Sequence, residues 1–220
     1  MNSMFSKSIL SAVLCLSAVP LASVAANPDP LFPTGLDWKP GPSCTYDIDH
    51  NGKKAQWTFT VSEVDGDKIK GVWTRGGGEP VVSIPVVKTE NGAKFTEDIS
   101  FVHGTPMTAD PGYQWLAFPL EPGKKWEGRS VVSGTTAAGK PWKVDSTFSS
   151  KVGDWEKVTI AKKSGLALKI VTEEKVVGLS ANFSGTGKMS LWMGTGACSI
   201  KKMEYKNSFK ETASLMLVSE

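Results

Sequence analysis

Short runs in which apolar and polar residues alternate, each closed by a turn pair, constrain this chain more than any other feature. Trp57, Phe59 and Val61 fall on one side of a pleated strand while Thr58, Thr60 and Ser62 fall on the other. Trp142, Val144 and Phe148 alternate in the same way against Lys143, Asp145, Thr147 and Ser149. Towards the C-terminus Met203, Tyr205, Phe209, Ala213, Leu215 and Leu217 oppose Lys202, Glu204, Lys206, Ser208, Lys210, Thr212 and Ser214. This stretch predicts one long bent strand, or two strands meeting near Asn207 and Ser208. A period of two occurs far more often than the helical period of 3.6.

The turns between these runs have their own chemistry. An aromatic strand from Trp115 to Leu120 is closed by Pro122-Gly123, and Trp126 opens the next strand. Proline presets φ at the first corner and glycine accepts positive φ at the second. Asn51-Gly52, Asp65-Gly66, Asn91-Gly92, Ala138-Gly139 and Gly153-Asp154 predict further hairpins. Gly185, Gly187, Gly194 and Gly196 predict bends or bulges in the late strands. From Phe101 to Gly112 a long loop carries His103 and Asp110, and a glycine-rich loop runs from Arg75 to Pro80. The economical architecture is all-β: an antiparallel meander forming a curved sheet, half-barrel, barrel or sandwich. It predicts a single β domain over residues 43–220, preceded by an irregular arm over 27–42.

The N-terminus predicts export. Lys7 supplies a positive region, Ile9 to Leu21 an apolar one, and Ala22 to Ala26 the small residues of a cleavage site. Cleavage after Ala25 or Ala26 fits the rule, and we place it at Ala26. Leu14 precedes Cys15 where a lipid-anchor signal wants a small residue, so no lipid anchor is expected. Of 25 basic residues one, Lys7, leaves with residues 1–26; the remaining 24 against 22 acidic residues give a charge of +2. So mild and interspersed a charge does not indicate a nucleic-acid partner. No later apolar run approaches the length of a spanning helix. Cys15 leaves too, and the remaining pair, Cys44 and Cys198, predicts a disulfide in an oxidising compartment, with two buried thiols as the alternative.

Candidate sites are few. Asp47, Asp49, Asn51 and Gly52 match the opening of a calcium loop, but its twelfth position is Thr58 and Lys53 and Lys54 would sit beside the ion, so a hairpin is the better account. His50 and His103 have no partner that the sequence can name, and the zinc-protease, serine-hydrolase and phosphate-loop motifs are missing. We therefore assign no catalytic residue, metal or cofactor. Eight tryptophans remain to be explained. They fill a core or line a groove; if a groove, then Trp73, Trp115 and Trp126, beside irregular segments, are the candidate ligand-binding residues. Asn182-Phe183-Ser184 is a glycosylation sequon that matters only in a eukaryotic secretory pathway.

The segment Trp115 to Trp126, then Trp155 to Ile160, then Leu166 to Ile170, resembles the uncharacterised bacterial periplasmic proteins grouped as domain of unknown function 3108, over residues 110–217. It departs from their hairpin pattern at Ala161 to Gly165. The resemblance implies a curved antiparallel β fold in the periplasm and carries over no catalytic residue. The expectation is an exported, non-catalytic protein, periplasmic or secreted. Its candidate partners are a lipid or other apolar molecule, a glycan, or another envelope protein. The alternative is a hydrolase built on the loop of His103 and Asp110. A membrane-crossing barrel is a weaker reading, since the strands are short and the chain closes on Val218-Ser219-Glu220.

Overall fold

The computed structural model describes residues 38–76, 78, 80–97, 107–136, 139–160, 163–179, 182–194 and 196–220. The predicted leader, its cleavage site, Cys15, most of the arm, the first part of the long loop with His103, and the hairpin tip at 161–162 lie outside the described residues. Twelve strands are described: β1 (Ser43–His50), β2 (Lys53–Asp65), β3 (Lys68–Arg75), β4 (Pro80–Thr89), β5 (Gly92–Glu97), β6 (Met107–Ala117), β7 (Lys125–Thr135), β8 (Pro141–Ile160), β9 (Lys163–Gly178), β10 (Ser184–Met193), β11 (Ile200–Asn207) and β12 (Thr212–Ser219). Each pairs antiparallel with its sequence neighbour, and β12 returns to β1, so the meander is a closed barrel. Closure gives every strand a partner on both sides, although β6 and β7 pair only from Met107↔Gly134 to Asp110↔Val131.

Alternation decides what faces inward. On β8, Val144, Phe148 and Val152 are buried, whereas Lys143, Thr147, Ser149 and Lys151 between them are exposed. The same holds on β9 and β10, where Glu173, Lys175 and Lys188 stand outside and Ile170 and Leu191 inside. An apolar interior under a charged exterior is the reverse of a barrel that crosses a bilayer.

Barrel diameter grows with strand number, and eight strands already enclose about as much space as side chains can fill. Twelve strands must therefore be plugged, left hollow, or both. One end is plugged. Trp38, just ahead of β1, is buried, with its ring 5.4 Å from Phe59 and 5.8 Å from Trp115. Its indole Nε1 donates to Ser199 Oγ at 3.0 Å. Beside it, Cys44 on β1 and Cys198 ahead of β11 form a disulfide across a sequence separation of 154, and the Tyr46 hydroxyl donates to the Ile200 carbonyl at 3.1 Å. Strand glycines make room for the rings: a Cβ at Gly71 would lie 2.2 Å from Phe59 Cε2, and one at Gly128 2.5 Å from Phe148 Cζ.

Several local expectations hold. The Asn51-Gly52 hairpin joins β1 to β2, with Gly52 N–H donating to Asp49 Oδ1 at 2.8 Å, so that carboxylate is engaged in the turn. Pro122-Gly123 is a turn, closed by Lys124 N–H on the Glu121 carbonyl at 3.0 Å, with Gly123 at φ 88°. The last stretch is two strands, and Asn207 Oδ1 accepts the N–H groups of Phe209 and Glu211 between them.

Others are corrected. The aromatic strand ends at Ala117 rather than Leu120, because Pro119 has no N–H to continue a ladder; the Lys124 ammonium donates instead to the Phe118 carbonyl. Gly153-Asp154 is no turn but a bulge inside β8: register passes from Val152↔Ile170 to Trp155↔Leu168, two residues opposing one. Residues 107–112 of the predicted loop belong to β6, where Met107 to Asp110 pair with β7. The turns predicted at 65–66 and 91–92 fall one residue off, because Asp65 still closes β2 and Gly92 already opens β5.

Two measurements test the plugged end. Trp38→Ala should cost about 3–5 kcal/mol in urea unfolding, as expected for removing a buried indole. Reduction of the disulfide should remove at most about 5 kcal/mol, the loop-closure value for so long a separation. Reduced and oxidised proteins that unfold at one midpoint would contradict the bracing role.

Candidate ligand cavity

The other end is hollow. A cavity of about 640 Å³ lies inside the barrel towards the end that holds the β7–β8, β9–β10 and β11–β12 connections. Its floor is the top of the aromatic plug, with Trp73, Phe95 and Trp115. Val132, Val144, Met189, Met203 and Leu215 line its walls, and Trp142, Phe183, Phe209 and Glu211 its mouth. Phe183 and Phe209 meet edge to face at 6.2 Å and are 37% and 52% exposed, so two exposed rings stand at the opening beside Asn207 and Glu211.

Four small polar residues, Ser130, Ser146, Ser150 and Thr172, are buried in the barrel wall, and Thr172 lines the cavity. Their hydroxyls are satisfied within the wall: Ser130 donates to the Gly112 carbonyl at 2.8 Å, and Ser150 and Thr172 bond each other at 2.8 Å.

Among the ionisable groups on this surface, Glu174 stands deepest in the wall, with Glu211 at the mouth. β9 turns Ile170, Thr172, Glu174 and Val176 towards the interior, and Glu174 pairs with Phe148 on β8 and Gly187 on β10. Gly187 has no side chain, and a Cβ there would lie 3.1 Å from the Tyr205 hydroxyl oxygen, so the ring of Tyr205 leans across it. Ser146 Oγ donates to Glu174 Oε1 at 2.5 Å. Tyr113 stacks on Phe148 with ring centroids 4.4 Å apart. Burial pushes the Glu174 pKa up, and the Ser146 hydrogen bond offsets part of that shift. Burial also raises both phenols; the charge of Glu174 raises Tyr113 further, while Tyr205 is held back by its bond with Asn207 and raised by Glu174 and Glu211. At the floor, the Trp73 indole Nε1 is buried without a hydrogen-bond partner among the described residues.

Of the three tryptophans singled out in the sequence, Trp73 and Trp115 are buried and line the cavity. Trp126 sits apart, packed against the core with its Nε1 3.4 Å from the Gln114 carbonyl. Trp142, whose alternation reads as core, lines the cavity instead. Trp192 is buried outside the barrel interior, in a small cluster with Val158 and Ala167, where it donates to Glu156 at 2.7 Å under the ammonium groups of Lys169 and Lys202. The sequence names none of Glu174, Tyr113 and Tyr205 as a candidate site residue, and Tyr205 enters there only on an alternating strand face. A signal for Glu174 was present, since a glutamate two residues from Thr172 and four from Ile170 falls on the buried face of a period-two strand. Asp110 is exposed on β6, and no described residue brings a histidine to the cavity.

The raised Glu174 pKa has a signed consequence. Between its unfolded and folded pKa values the folded state holds the extra proton, so the group's contribution is full below the unfolded value, about 4.3, and is lost as pH rises through the folded value. Glu174→Gln should therefore gain stability relative to the parent as pH rises from 4 to 8, read from paired urea titrations. A pH-independent difference would contradict burial of the carboxylate.

No family model and no curated protein matches the chain. Among solved structures it is similar to a protein of Bacteroides fragilis classed as exported, with a YmcC-like fold, at 12% identity and a TM-score of 0.53 over 84% of this chain and 97% of that one. It is also similar to a protein of Parabacteroides distasonis classed as a lipoprotein, at 11% identity and a TM-score of 0.51 over 85% and 97%. At such identities the likeness is one of fold. The resemblance to a bacterial β-rich family thus has support as fold, while the particular tie to domain of unknown function 3108 is not shown.

Proposed function

We propose that this chain is an exported protein of the bacterial envelope that carries an apolar small molecule in its barrel. The observation that carries the reading is the cavity of about 640 Å³, lined by aromatic, methionine and aliphatic side chains and opening beside the exposed rings of Phe183 and Phe209. That volume falls within the range of roughly 300–1,000 Å³ usual for small-molecule sites. A glycan fits less well, because Trp73 and Trp115 present no open ring face: each packs tilted against neighbouring rings, with Phe59 5.1 Å from Trp73 and Phe95 5.0 Å from Trp115. Export draws on the leader-like residues 1–26, on the disulfide, and on fold neighbours classed as exported and as a lipoprotein. In this reading the mature chain starts after Ala26, and its arm over 27–42 carries Trp38. The carrier role requires no catalytic residue.

Titration of the processed protein with the apolar fluorophore N-phenyl-1-naphthylamine tests this. Binding should saturate at one site, and Met189→Trp, which fills the cavity, should weaken it about tenfold or more with the far-ultraviolet circular dichroism unchanged. Absence of binding, or equal binding by the filled variant, would overturn the reading.

A further inference from the structure

We infer that the ligand of this cavity is an amphiphile with a protonated amine, its ammonium seated on the Glu174 carboxylate between Tyr113 and Tyr205. The inference rests on the apolar-ligand reading and adds the chemistry of the headgroup. Its first support is the charge of the lining: the described residues around the cavity include two carboxylates, Glu174 and Glu211, and no lysine, arginine or histidine. A carboxylate or phosphate headgroup entering there would meet like charge in a poorly hydrated space, which rejects it. A purely apolar ligand would leave the Glu174 carboxyl with less water and nothing in exchange.

The second support is the aromatic surround. Tyr113, Trp142 and Tyr205 line the same cavity as Glu174, and ring faces attract cations most strongly where water is excluded. The third is the geometry of the carboxyl itself. Gly187, opposite Glu174 on β10, has no side chain, so the Tyr205 ring lies over it and comes alongside the carboxyl, which Ser146 bonds at Oε1 from the β8 side. An ammonium supplies three donors, and with Glu174 ionised it forms a charge-assisted hydrogen bond.

Binding is then linked to proton release from Glu174. Around it inside the barrel are Ser146 and Phe148 from β8, Gly187 from β10, Tyr113 from β6 and Tyr205 from β11, with Glu211 lining the same cavity; Glu173, Lys175, Lys188 and Lys206, from β9, β10 and β11, share with it a second, more open pocket. Both phenols are held neutral by burial, so Glu174 carries the pH response. Amine affinity rises as pH increases from 5 to 8, a range in which an alkylamine, like a lysine, keeps its proton.

Isothermal titration of the processed protein with dodecylamine, dodecanol and dodecanoate separates the possibilities. The expected result is dodecylamine tightest by about tenfold or more over dodecanol, the worth of a charge-assisted hydrogen bond, with dodecanoate weakest. Glu174→Gln should collapse the difference between amine and alcohol. In the unsubstituted protein the amine should weaken as pH falls while the alcohol does not. An alcohol that binds as well as the amine, or an amine preference that survives Glu174→Gln or is insensitive to pH, overturns the headgroup assignment and leaves the apolar cavity standing. Failure of all three chains to bind overturns both.

Discussion

Ring-on-ring packing of Trp38 between Phe59 and Trp115 is the interaction on which the rest of this barrel depends. Twelve strands enclose more space than their inward side chains fill, so where bulk is placed decides what the interior becomes. Here it is concentrated at one end, where Trp38, Tyr46, Phe59, Trp73 and Trp115 meet and the disulfide ties β1 to the segment before β11. The plug sets the floor of the cavity. Above it, Thr172 and Gly187 line the cavity beside Glu174.

That arrangement explains why most of the architecture was legible and the site was not. Alternation such as Trp57-Phe59-Val61 reads out strand and face, because a pleated strand has a period of two whatever it packs against. The cysteine pair was readable from count and compartment. Closure was not, since strand periodicity is the same in a sandwich, a half-barrel and a barrel. Gly153-Asp154 misled because a bulge and a hairpin favour the same residues, and only the partner strand tells them apart.

Tryptophan chemistry alone could not separate plug from cavity wall, as the outcomes for Trp73, Trp126 and Trp142 differ. What distinguishes them is height along the barrel axis, a property of register that one strand does not carry. Glu174 was the more legible clue. An ionisable carboxylate on the inward face of β9, among Ile170, Thr172 and Val176, breaks the apolar-inward rule more sharply than the neutral Thr172, and such breaks gather at functional sites. Its burial carries a cost that a glutamine would avoid, and natural proteins retain such costs where a site requires them.

Whether the space above the plug admits a ligand is answered most directly by methionine-methyl NMR with a nitroxide-labelled dodecyl chain. The account predicts that the methyl resonances of Met107, Met189 and Met203, which line the cavity, broaden selectively, while that of Met193, fully buried beside the plug, stays sharp. Uniform broadening, or none at the three lining methionines, would contradict it.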